Sequence, residues 1–309
     1  MRSGPVLVTG AEGFVGTHLM ARAEASGSPA VAASADLLRP EAARRVIADA
    51  RPAAVVHLAS AGPGGPDGSC AALADDARMA ANLLAAVAEE RPDTPVLIAG
   101  SAAQYGLAGS DPLSEASPLS PVSAYGAAKT ALELACADRA APRVIWARTF
   151  NLLGPGQPSS APVPAWARQL AEAERGGDGT IRTGRLDVMR DFLDVRDAAD
   201  AYLALVASPA EGPVNVCSGQ PVALREILEG MIALSPASPR VERDPALERA
   251  LDPPRVVGDP ARLHALTGWA PRRSLAESLG DVLAEWRDRA SARGPRTGEG
   301  SRAGGVPAR

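Results

Sequence analysis

Short apolar runs alternate with amphipathic stretches over the first half of the chain. The apolar runs, which predict buried β-strands, occupy residues 5–10, 30–34, 54–59, 95–99 and 144–148. The stretches between them predict helices over about residues 15–25, 40–50, 71–90 and 123–138. Strands that alternate with helices in this way form βαβ units, and therefore a parallel sheet with helices on both faces.

The second half of the chain is less regular. Predicted helices at about 162–175, 194–207, 222–234 and 274–288 are separated by short strands and proline-rich turns. We therefore predict an α/β fold in which residues 1–155 form a doubly wound parallel sheet, to which part of 191–217 returns. Residues 156–288 then form mainly a smaller mixed α/β C-terminal domain, and the aperiodic segment 289–309 is predicted to be a disordered tail.

Composition narrows the classes of function. The 309 residues carry a formal net charge of −4, so we expect no nucleic-acid partner, which would require a basic stripe. No apolar run reaches the roughly 18 residues of a membrane span. Cys70, Cys136 and Cys217 are far apart and form no cluster with histidines, so we expect neither disulfides nor a metal site. Because no signal-peptide pattern precedes the first strand, we expect a cytoplasmic protein.

A glycine-rich turn joins the first predicted strand to the first helix. It contains Gly10, Gly13 and Gly16, and Phe14 and Val15 open the helix. In such a turn the first glycine permits the tight bend, the second lets backbone N–H groups approach a pyrophosphate, and the third allows the helix to pack closely. Glycine triplets also occur in ordinary turns. The position at the start of a βαβ series favours a Rossmann-like dinucleotide-binding domain.

The end of the second predicted strand bears on the choice of dinucleotide. Proteins that prefer NAD(H) place a carboxylate there, which hydrogen bonds to the 2′-hydroxyl of the adenine ribose. Ser34 is uncharged and would not repel a 2′-phosphate, although Asp36 is close enough in the chain to take the role of that carboxylate. We predict NADP(H) as the preferred cofactor and NAD(H) as the alternative.

A serine, a tyrosine and a lysine follow in an order that suits proton transfer. Of the 32 Lys and Arg residues, Lys129 is the one lysine, and it lies four residues after Tyr125 on a predicted helix. Residues four apart share a helix face, and a neighbouring ammonium favours the phenolate form of tyrosine. Ser101 follows the strand 95–99, at the sheet edge where such folds bind ligands. Tyr-x-x-x-Lys alone is common on helices, but its combination with Ser101 and the glycine turn predicts a catalytic group.

The spacing Gly-x-x-Gly-x-x-Gly, together with Ser101, Tyr125 and Lys129, resembles the extended branch of the short-chain dehydrogenase/reductase superfamily. The resemblance implies an NAD(P)-dependent oxidoreductase. Ser101 would then hold a carbonyl oxygen, Tyr125 would donate a proton to it, and Lys129 would tune Tyr125 and bind the nicotinamide ribose.

Further residues are expected at the cofactor. The resemblance places Asp36 and Leu37 beside the adenine, and Leu58 and Ala59 end the third strand where a cofactor would lie. It also matches Asn82 to a position that supports the backbone of the active site, although Asn82 is equally compatible with an exposed helix position.

Two motifs in the second half resemble those of enzymes that act on nucleotide-activated sugars. Within Arg148-Thr149-Phe150-Asn151-Leu152-Leu153-Gly154-Pro155-Gly156, the resemblance assigns Asn151 to the substrate phosphates. Within Arg190-Asp191-Phe192-Leu193-Asp194-Val195, it assigns Arg190 to the pyrophosphate, with Arg249 as a second clamp. A guanidinium suits this role because its planar fork makes bidentate bonds to phosphate. Tyr105 either packs in the core or lines the substrate pocket.

Across about residues 5–288 the chain resembles GDP-4-dehydro-6-deoxy-D-mannose reductases. The resemblance implies NADPH-dependent reduction of the 4-keto group of a nucleoside-diphosphate 4-keto-6-deoxyhexose. Residues 156–288 would form the nucleotide-sugar-binding substrate domain, and helices 71–90 and 123–138 would pair in a homodimer.

Departures from the family patterns leave alternatives open. Ala103 stands where related dehydratases carry an acid, so dehydration is not expected. Gly184-Arg185-Leu186-Asp187 replaces the Gly-Asn-Leu-Asp of many GDP-sugar enzymes, so a dTDP or UDP sugar remains an alternative. A nucleotide-sugar 4-epimerase with tightly bound NAD, and a non-catalytic dinucleotide sensor, are the other interpretations.

Overall fold

The computed structural model describes residues 4–60, 70–109, 112–137, 142–248 and 251–292. Its strands are β1 (Val6–Thr9), β2 (Ala30–Ala32), β3 (Ala54–His57), β4 (Val96–Ala99), β5 (Val144–Thr149), β6 (Asn151–Leu153), β7 (Thr180–Thr183), β8 (Met189–Asp194), β9 (Gly212–Val216), β10 (Pro221–Ala223), β11 (Arg240–Arg243) and β12 (Arg255–Val256). Its helices are α1 (Phe14–Ala25), α2 (Pro40–Ala50), α3 (Cys70–Glu90), α4 (Ala124–Cys136), α5 (Pro162–Glu174), α6 (Val195–Ala207), α7 (Leu224–Ala233), α8 (Ala261–Thr267) and α9 (Leu275–Ala292).

The main sheet has six strands in the order β2-β1-β3-β4-β5-β9, and every neighbouring pair is parallel. Side chains on its two faces enter two separate hydrophobic clusters, one containing residues of α1 and α6 and the other residues of α2, α3 and α4. Because both faces are covered, most residues of these strands are apolar, and the polar ones such as Thr9 and His57 stand at the carboxyl ends. The α/β prediction with a doubly wound parallel sheet is confirmed.

The strand order locates the ligand-binding crevice. From β1 the chain turns to one side to form β2, and then crosses to the other side of β1 to form β3. In open α/β sheets, ligands bind outside the carboxyl ends of the strands at such a switch point. The crevice therefore lies at the ends of β1 and β3, next to the glycine-rich turn.

The later elements build a second layer around β8. Strand β8 pairs with β6, β10 and β12, and a two-stranded sheet joins β7 to β11. Helices α5, α7 and α9 enclose a third hydrophobic cluster, which includes Trp166, Met231 and Trp286. Strand β9 and helix α6, however, pack with the main sheet. The domain boundary at residue 155 stays a prediction.

The C-terminal helix extends into the segment that was predicted to be a tail. Helix α9 continues to Ala292, so the prediction that the tail starts at residue 289 is wrong for its first residues, and 293–309 lie outside the described part. Within the described ranges, no helix combines the length and the apolar character that a membrane crossing requires.

Candidate active site

A cavity of about 230 Å³ lies at the switch point of the main sheet. Nine of the residues that line it are predicted site residues: Gly10, Gly13, Phe14, Val15, Gly16, Leu58, Ala59, Tyr125 and Lys129. The others are His57, Ser60, Asp76, Ile98, Ala99, Gly100, Leu132 and Tyr202. The glycine turn and the Tyr/Lys helix, which are more than a hundred residues apart in the chain, thus meet at one cavity.

The glycine turn has the backbone shape that a dinucleotide requires. Gly10 has φ +68°, and a Cβ atom there would lie 2.7 Å from the backbone nitrogen of Ala59. A Cβ atom on Gly16 would collide with the carbonyl oxygen of Gly10, so glycine at this position lets α1 pack on the turn. The residues at the start of α1 line the cavity, and a helix N-terminus favours an anion. These residues fit the pyrophosphate of a nicotinamide dinucleotide.

Ser101 is held by a network of buried side chains. Its backbone nitrogen donates to Oε1 of Gln104 at 3.0 Å, and its hydroxyl oxygen accepts from the backbone nitrogen of Ala103 at 3.2 Å. The side-chain nitrogen of Gln104 donates to Glu133 on α4 at 2.7 Å, and the indole nitrogen of Trp146 donates to Oε1 of Gln104 at 3.1 Å. Gly100 lines the cavity, and Ser101 follows it directly.

Helix α4 brings Tyr125 and Lys129 to the cavity. The side chain of Ser123 caps the helix by accepting from the backbone nitrogen of Gly126 at 3.1 Å. A Cβ atom on Gly126 would collide with the carbonyl oxygen of Ala103. Glycine at this position therefore lets α4 lie close to the turn at Ala103. The close approach places Tyr125 near Ser101, whose hydroxyl lowers the pKa of the phenol. The ammonium nitrogen of Lys129 lies 5.8 Å from the centroid of the Tyr125 ring.

The electrostatics of the cavity favour a protonated phenol. Burial raises the pKa of Tyr125 above its ordinary value, the hydrogen bond with Ser101 lowers it in part, and the charge of Asp76 raises it further. Burial also lowers the pKa of Lys129, whereas the carboxylate of Asp76 raises it. A neutral phenol next to a serine hydroxyl can donate a proton and a hydrogen bond to one substrate oxygen.

The residues expected at the adenine end lie outside the cavity lining. Strand β2 ends at Ala32, so Ser34 and Asp36 are exposed residues of the following loop. The side chain of Leu37 is buried in a hydrophobic cluster, which leaves its backbone as the part able to meet a ligand. Asn82 donates to the carbonyl oxygen of Leu37 at 2.9 Å and so supports this loop from α3. Asn82 is therefore a half-buried support of the loop after β2 and not an exposed helix residue.

The structure does not place Tyr105 in the cavity. Its side chain is fully buried, its hydroxyl donates to Oδ1 of Asn215 at 2.6 Å, and it accepts from Arg148 at 3.0 Å. Burial raises the pKa of Tyr105 to about 12. Of the two alternatives for Tyr105, substrate binding is wrong and core packing is right, because the side chain is buried and its hydroxyl is engaged by Asn215 and Arg148.

The other predicted substrate residues lie on the second sheet. Asn151 is exposed at the start of β6 and donates to the carbonyl oxygen of Asp191 at 2.9 Å. Arg190 on β8 forms an ion pair with Asp252 at 2.5 Å. The buried carboxylate of Asp191 accepts from the backbone nitrogen of Ser218 at 2.8 Å and thereby fixes β8 against the loop after β9. Arg249 lies outside the described residues, so its assignment stays a prediction.

Comparison with known proteins identifies the family. The model of the NAD dependent epimerase/dehydratase family matches residues 6–217, which contain the main sheet and all the residues that line the cavity. The chain belongs to the NAD dependent epimerase/dehydratase family. The resemblance to extended short-chain dehydrogenases/reductases, predicted from the glycine spacing and the Ser/Tyr/Lys group, is thereby confirmed.

Several known proteins are similar to this chain over most of its length. GDP-6-deoxy-D-mannose reductase from Pseudomonas aeruginosa is 35% identical over 302 residues, which cover 92% of this chain and 97% of that protein. GDP-6-deoxy-D-talose 4-dehydrogenase from Aggregatibacter actinomycetemcomitans is 27% identical and covers 85% and 91%. The structure of RMD from Pseudomonas aeruginosa complexed with NADPH has a TM-score of 0.82 and 32% identity, and covers 93% of this chain and all of that one.

Four polar residues of the cavity lining, His57, Ser60, Asp76 and Tyr202, were not among the predicted site residues. Nδ1 of His57 is 2.7 Å from Oγ1 of Thr9, and the imidazole ring lines the cavity. Tyr202 comes from α6, and its hydroxyl lies 2.6 Å from Oγ1 of Thr149. Asp76 faces Lys129 from α3. Asp76 lies four residues before Ala80, and both are buried on the inner face of α3.

Proposed function

We propose that this protein reduces the 4-keto group of a nucleoside-diphosphate 4-keto-6-deoxyhexose with NAD(P)H, as in GDP-4-dehydro-6-deoxy-D-mannose reductases. The observation that carries the proposal is the meeting of the glycine turn with Tyr125 and Lys129 at one cavity. Similarity to a GDP-6-deoxy-D-mannose reductase over 92% of the chain supports it. A nicotinamide dinucleotide, when bound, supplies the hydride that the carbonyl carbon accepts.

The residues of the chain have separate tasks in this reaction. As the carbonyl carbon gains a hydride, its oxygen gains negative charge, and the Tyr125 hydroxyl donates its proton to that oxygen. Such proton donation typically contributes ~10²–10⁴-fold to the rate. The Ser101 hydroxyl donates a hydrogen bond to the same oxygen, and the Lys129 ammonium stabilises the phenolate that Tyr125 becomes. The raised pKa of Tyr125 suits a donor, because the phenol stays protonated until substrate is present.

The remainder of the substrate is assigned to the second sheet. We propose that Asn151 and Arg190 bind the diphosphate, with Arg249 as the second arginine. The ion pair of Arg190 with Asp252 supports a clamp of this kind, since it fixes the direction of the guanidinium before substrate binds. Guanine is the proposed base because the two relatives described above are named for GDP sugars.

The proposed cofactor is NADP(H), with NAD(H) as the alternative. Gly10, Gly13, Phe14, Val15, Gly16, Leu58 and Ala59 would hold the dinucleotide, and the loop that contains Ser34, Asp36 and Leu37 would meet the adenosine. The lack of charge at Ser34 and the NADPH complex of a 32% identical structure both support NADP(H).

Assembly and location are proposed on more general grounds. A homodimer through α3 and α4 would cover Leu134, which is 64% exposed on α4. Two of the cysteines, Cys136 and Cys217, are buried thiols outside any disulfide, which suits a reducing cytoplasm.

The decisive assay offers the purified protein three substrates and two reductants. The 4-keto-6-deoxyhexoses linked to GDP, dTDP and UDP are each mixed with NADPH or NADH, and loss of the reduced nicotinamide absorbance is followed. We expect stoichiometric oxidation of NADPH with the GDP sugar, and a 4-hydroxyl product whose configuration is determined by NMR. Interconversion of C4 epimers without added reductant would instead indicate a 4-epimerase. Dinucleotide binding without turnover of any of the three sugars would contradict the proposal.

A pair of variants tests the cofactor preference. Ser34→Asp places a carboxylate near the proposed 2′-phosphate and is expected to lower kcat/KM for NADPH at least tenfold relative to NADH. Asp36→Ser removes a carboxylate from the same exposed loop. This variant is expected to keep the same kcat/KM for NADPH or to raise it. An unchanged NADPH/NADH ratio in both variants would contradict the placement of this loop at the adenosine ribose.

A further inference from the structure

A buried carboxylate faces the one lysine of the chain. Oδ2 of Asp76 on α3 lies 3.9 Å from Nζ of Lys129 on α4, and the two residues are only 6% and 7% exposed. The hydroxyl of Ser60 donates to the same Oδ2 atom at 2.6 Å, which fixes the direction of the carboxylate. All three residues line the cavity.

The surroundings of Lys129 include other titratable groups but, among the described residues, no second carboxylate in the cavity lining. His57 on β3, Tyr125 on α4 and Tyr202 on α6 line the same cavity as Lys129. Burial and the charge of Lys129 lower the pKa of His57 to about 4, so the imidazole is neutral at ordinary pH. The next acid along α4, Glu133, is engaged by Arg148. Asp76 is therefore the negative group that balances Lys129 within the cavity.

A lysine in such a place needs a counter-charge. Removing an ammonium from water disfavours its charged form, and an opposite charge within about 4–6 Å restores it. Both effects act on Lys129: burial lowers its pKa, and the charge of Asp76 raises it. Asp76 also raises the pKa of Tyr125. Geometry and charge together make Asp76 the counter-charge of the Lys129 ammonium.

We propose that Asp76 is a positioning residue that keeps the Lys129 ammonium charged and fixed beneath Tyr125, with Ser60 orienting its carboxylate. Asp76 does not touch the reacting atoms in this proposal and acts through Lys129. Its catalytic consequence rests on the proposed function, because a charged Lys129 matters to turnover only if Tyr125 donates the proton. The effect of the Asp76 charge on Lys129 does not depend on any substrate.

The single lysine makes the test unusually direct. Protein produced with ¹³C-labelled lysine, and without a lysine-containing tag, gives one side-chain lysine signal by NMR, and its change with pH reports the pKa of Lys129 alone. Asp76→Asn removes the charge while keeping the size of the side chain and an acceptor for Ser60. We expect the pKa of Lys129 to fall by ~1–3 units in this variant. Asp76→Glu, which retains the charge, is expected to restore most of the difference.

The matched control lies one residue earlier. Asp75→Asn makes the same chemical change on the same helix, but Asp75 is partly exposed and lies 4.0 Å from the surface residue Arg78. It is expected to leave the Lys129 titration unchanged. If Asp76→Asn does not fold, Ser60→Ala takes its place, since loss of the orienting hydrogen bond should also lower the pKa of Lys129. A Lys129 titration that stays the same in the folded variant would overturn the proposal.

The same variants separate this proposal from the proposed function. If the protein reduces a keto sugar, Asp76→Asn is expected to shift the pH profile of kcat while KM for the sugar changes little. If no sugar is reduced but the Lys129 signal shifts as expected, the relation between Asp76 and Lys129 stands and the proposed function fails. If the sugar is reduced but the Lys129 signal does not move, the proposed function stands and the role of Asp76 is overturned.

Discussion

The guanidinium of Arg148 and the carboxylate of Glu133 form a buried ion pair, which Gln104 links to Ser101. Nε of Arg148 lies 3.0 Å from Oε2 of Glu133, and a second contact joins the other carboxylate oxygen to the end of the guanidinium. Glu133 also accepts from Gln104, which in turn accepts from the backbone of Ser101. The pair therefore ties β5 and α4 to the turn that places Ser101 beside Tyr125.

Breaking this pair should destabilise the fold. Glu133→Gln leaves the Arg148 guanidinium buried without its counter-charge, and we expect the free energy of unfolding to fall by about 3–5 kcal/mol. Urea unfolding measures the change. Glu172→Gln is the control, because it breaks an exposed pair in which Arg168 and Glu172 are 2.9 Å apart, and such pairs contribute about 0–1 kcal/mol. Equal losses in the two variants would show that the buried pair does not stabilise the fold as described.

The assignment of the proton donor predicts a loss of rate without a loss of binding. Tyr125→Phe removes the hydroxyl, so kcat for keto-sugar reduction should fall by ~10²–10⁴-fold while the Kd for NADPH, measured by fluorescence, stays close to that of the wild type. Tyr105→Phe removes a hydroxyl that the structure places in the core. That variant should lose stability, because Asn215 and Arg148 each lose a partner, yet retain most of the turnover. A Tyr125→Phe protein with near wild-type kcat would remove the assignment.

The glycine turn predicts a difference between two glycines with the same backbone angle. Gly10 and Gly27 both have φ +68°, but a Cβ atom on Gly10 would meet Ala59 and Leu58, whereas one on Gly27 would meet no atom within 4 Å. Gly27→Ala should therefore cost only the ~1–2 kcal/mol of left-handed backbone strain. Gly10→Ala adds a backbone collision in the cavity and should weaken dinucleotide binding at least tenfold. Calorimetric binding of NADPH to both variants measures the difference, and equal affinities would contradict a cofactor site at this turn.

His57 predicts how stability depends on pH. Its pKa falls from 6.5 to about 4 in the folded protein, chiefly through burial. Between these two pH values the unfolded chain binds more protons than the folded one, so stability falls as the pH is lowered through this window. Across this window the titration of His57 lowers the free energy of unfolding by about 3 kcal/mol.

Urea unfolding at a series of pH values tests this contribution. His57→Gln should flatten the dependence between pH 6.5 and about 4, whereas His264→Gln, at an exposed position, should leave it in place. If the wild type and His57→Gln gave parallel curves, the histidine would not titrate as described.

Local patterns in the sequence were sufficient for the sheet and for the glycine turn. Apolar runs separated by amphipathic helices follow from burial on both faces of a parallel sheet, and Gly10 and Gly16 stand where a side chain would collide. The pairing of Tyr125 with Lys129 was likewise visible, because helix geometry places residues four apart on one face. These features depend on residues close together in the chain.

Features that depend on distant segments were missed. Tyr105 could equally have been a core or a pocket residue until the structure placed Asn215 and Arg148 against its hydroxyl. Asp75 and Asp76 form an ordinary acidic pair on a helix, and only the packing of α3 beside α4 shows that Asp76 faces Lys129. Each case turns on a partner dozens of residues away, which no local pattern contains.

The most direct test of the account follows the hydride itself. NADPH labelled with deuterium at C4 of the nicotinamide, in each of its two stereochemical forms, is incubated with the protein and a GDP-linked 4-keto-6-deoxyhexose. Mass spectrometry and NMR then locate the label. We predict that one of the two forms delivers its deuterium to C4 of the sugar, one atom for each NADPH oxidised. Recovery of the intact keto sugar, or of unlabelled product, with both forms would contradict the account.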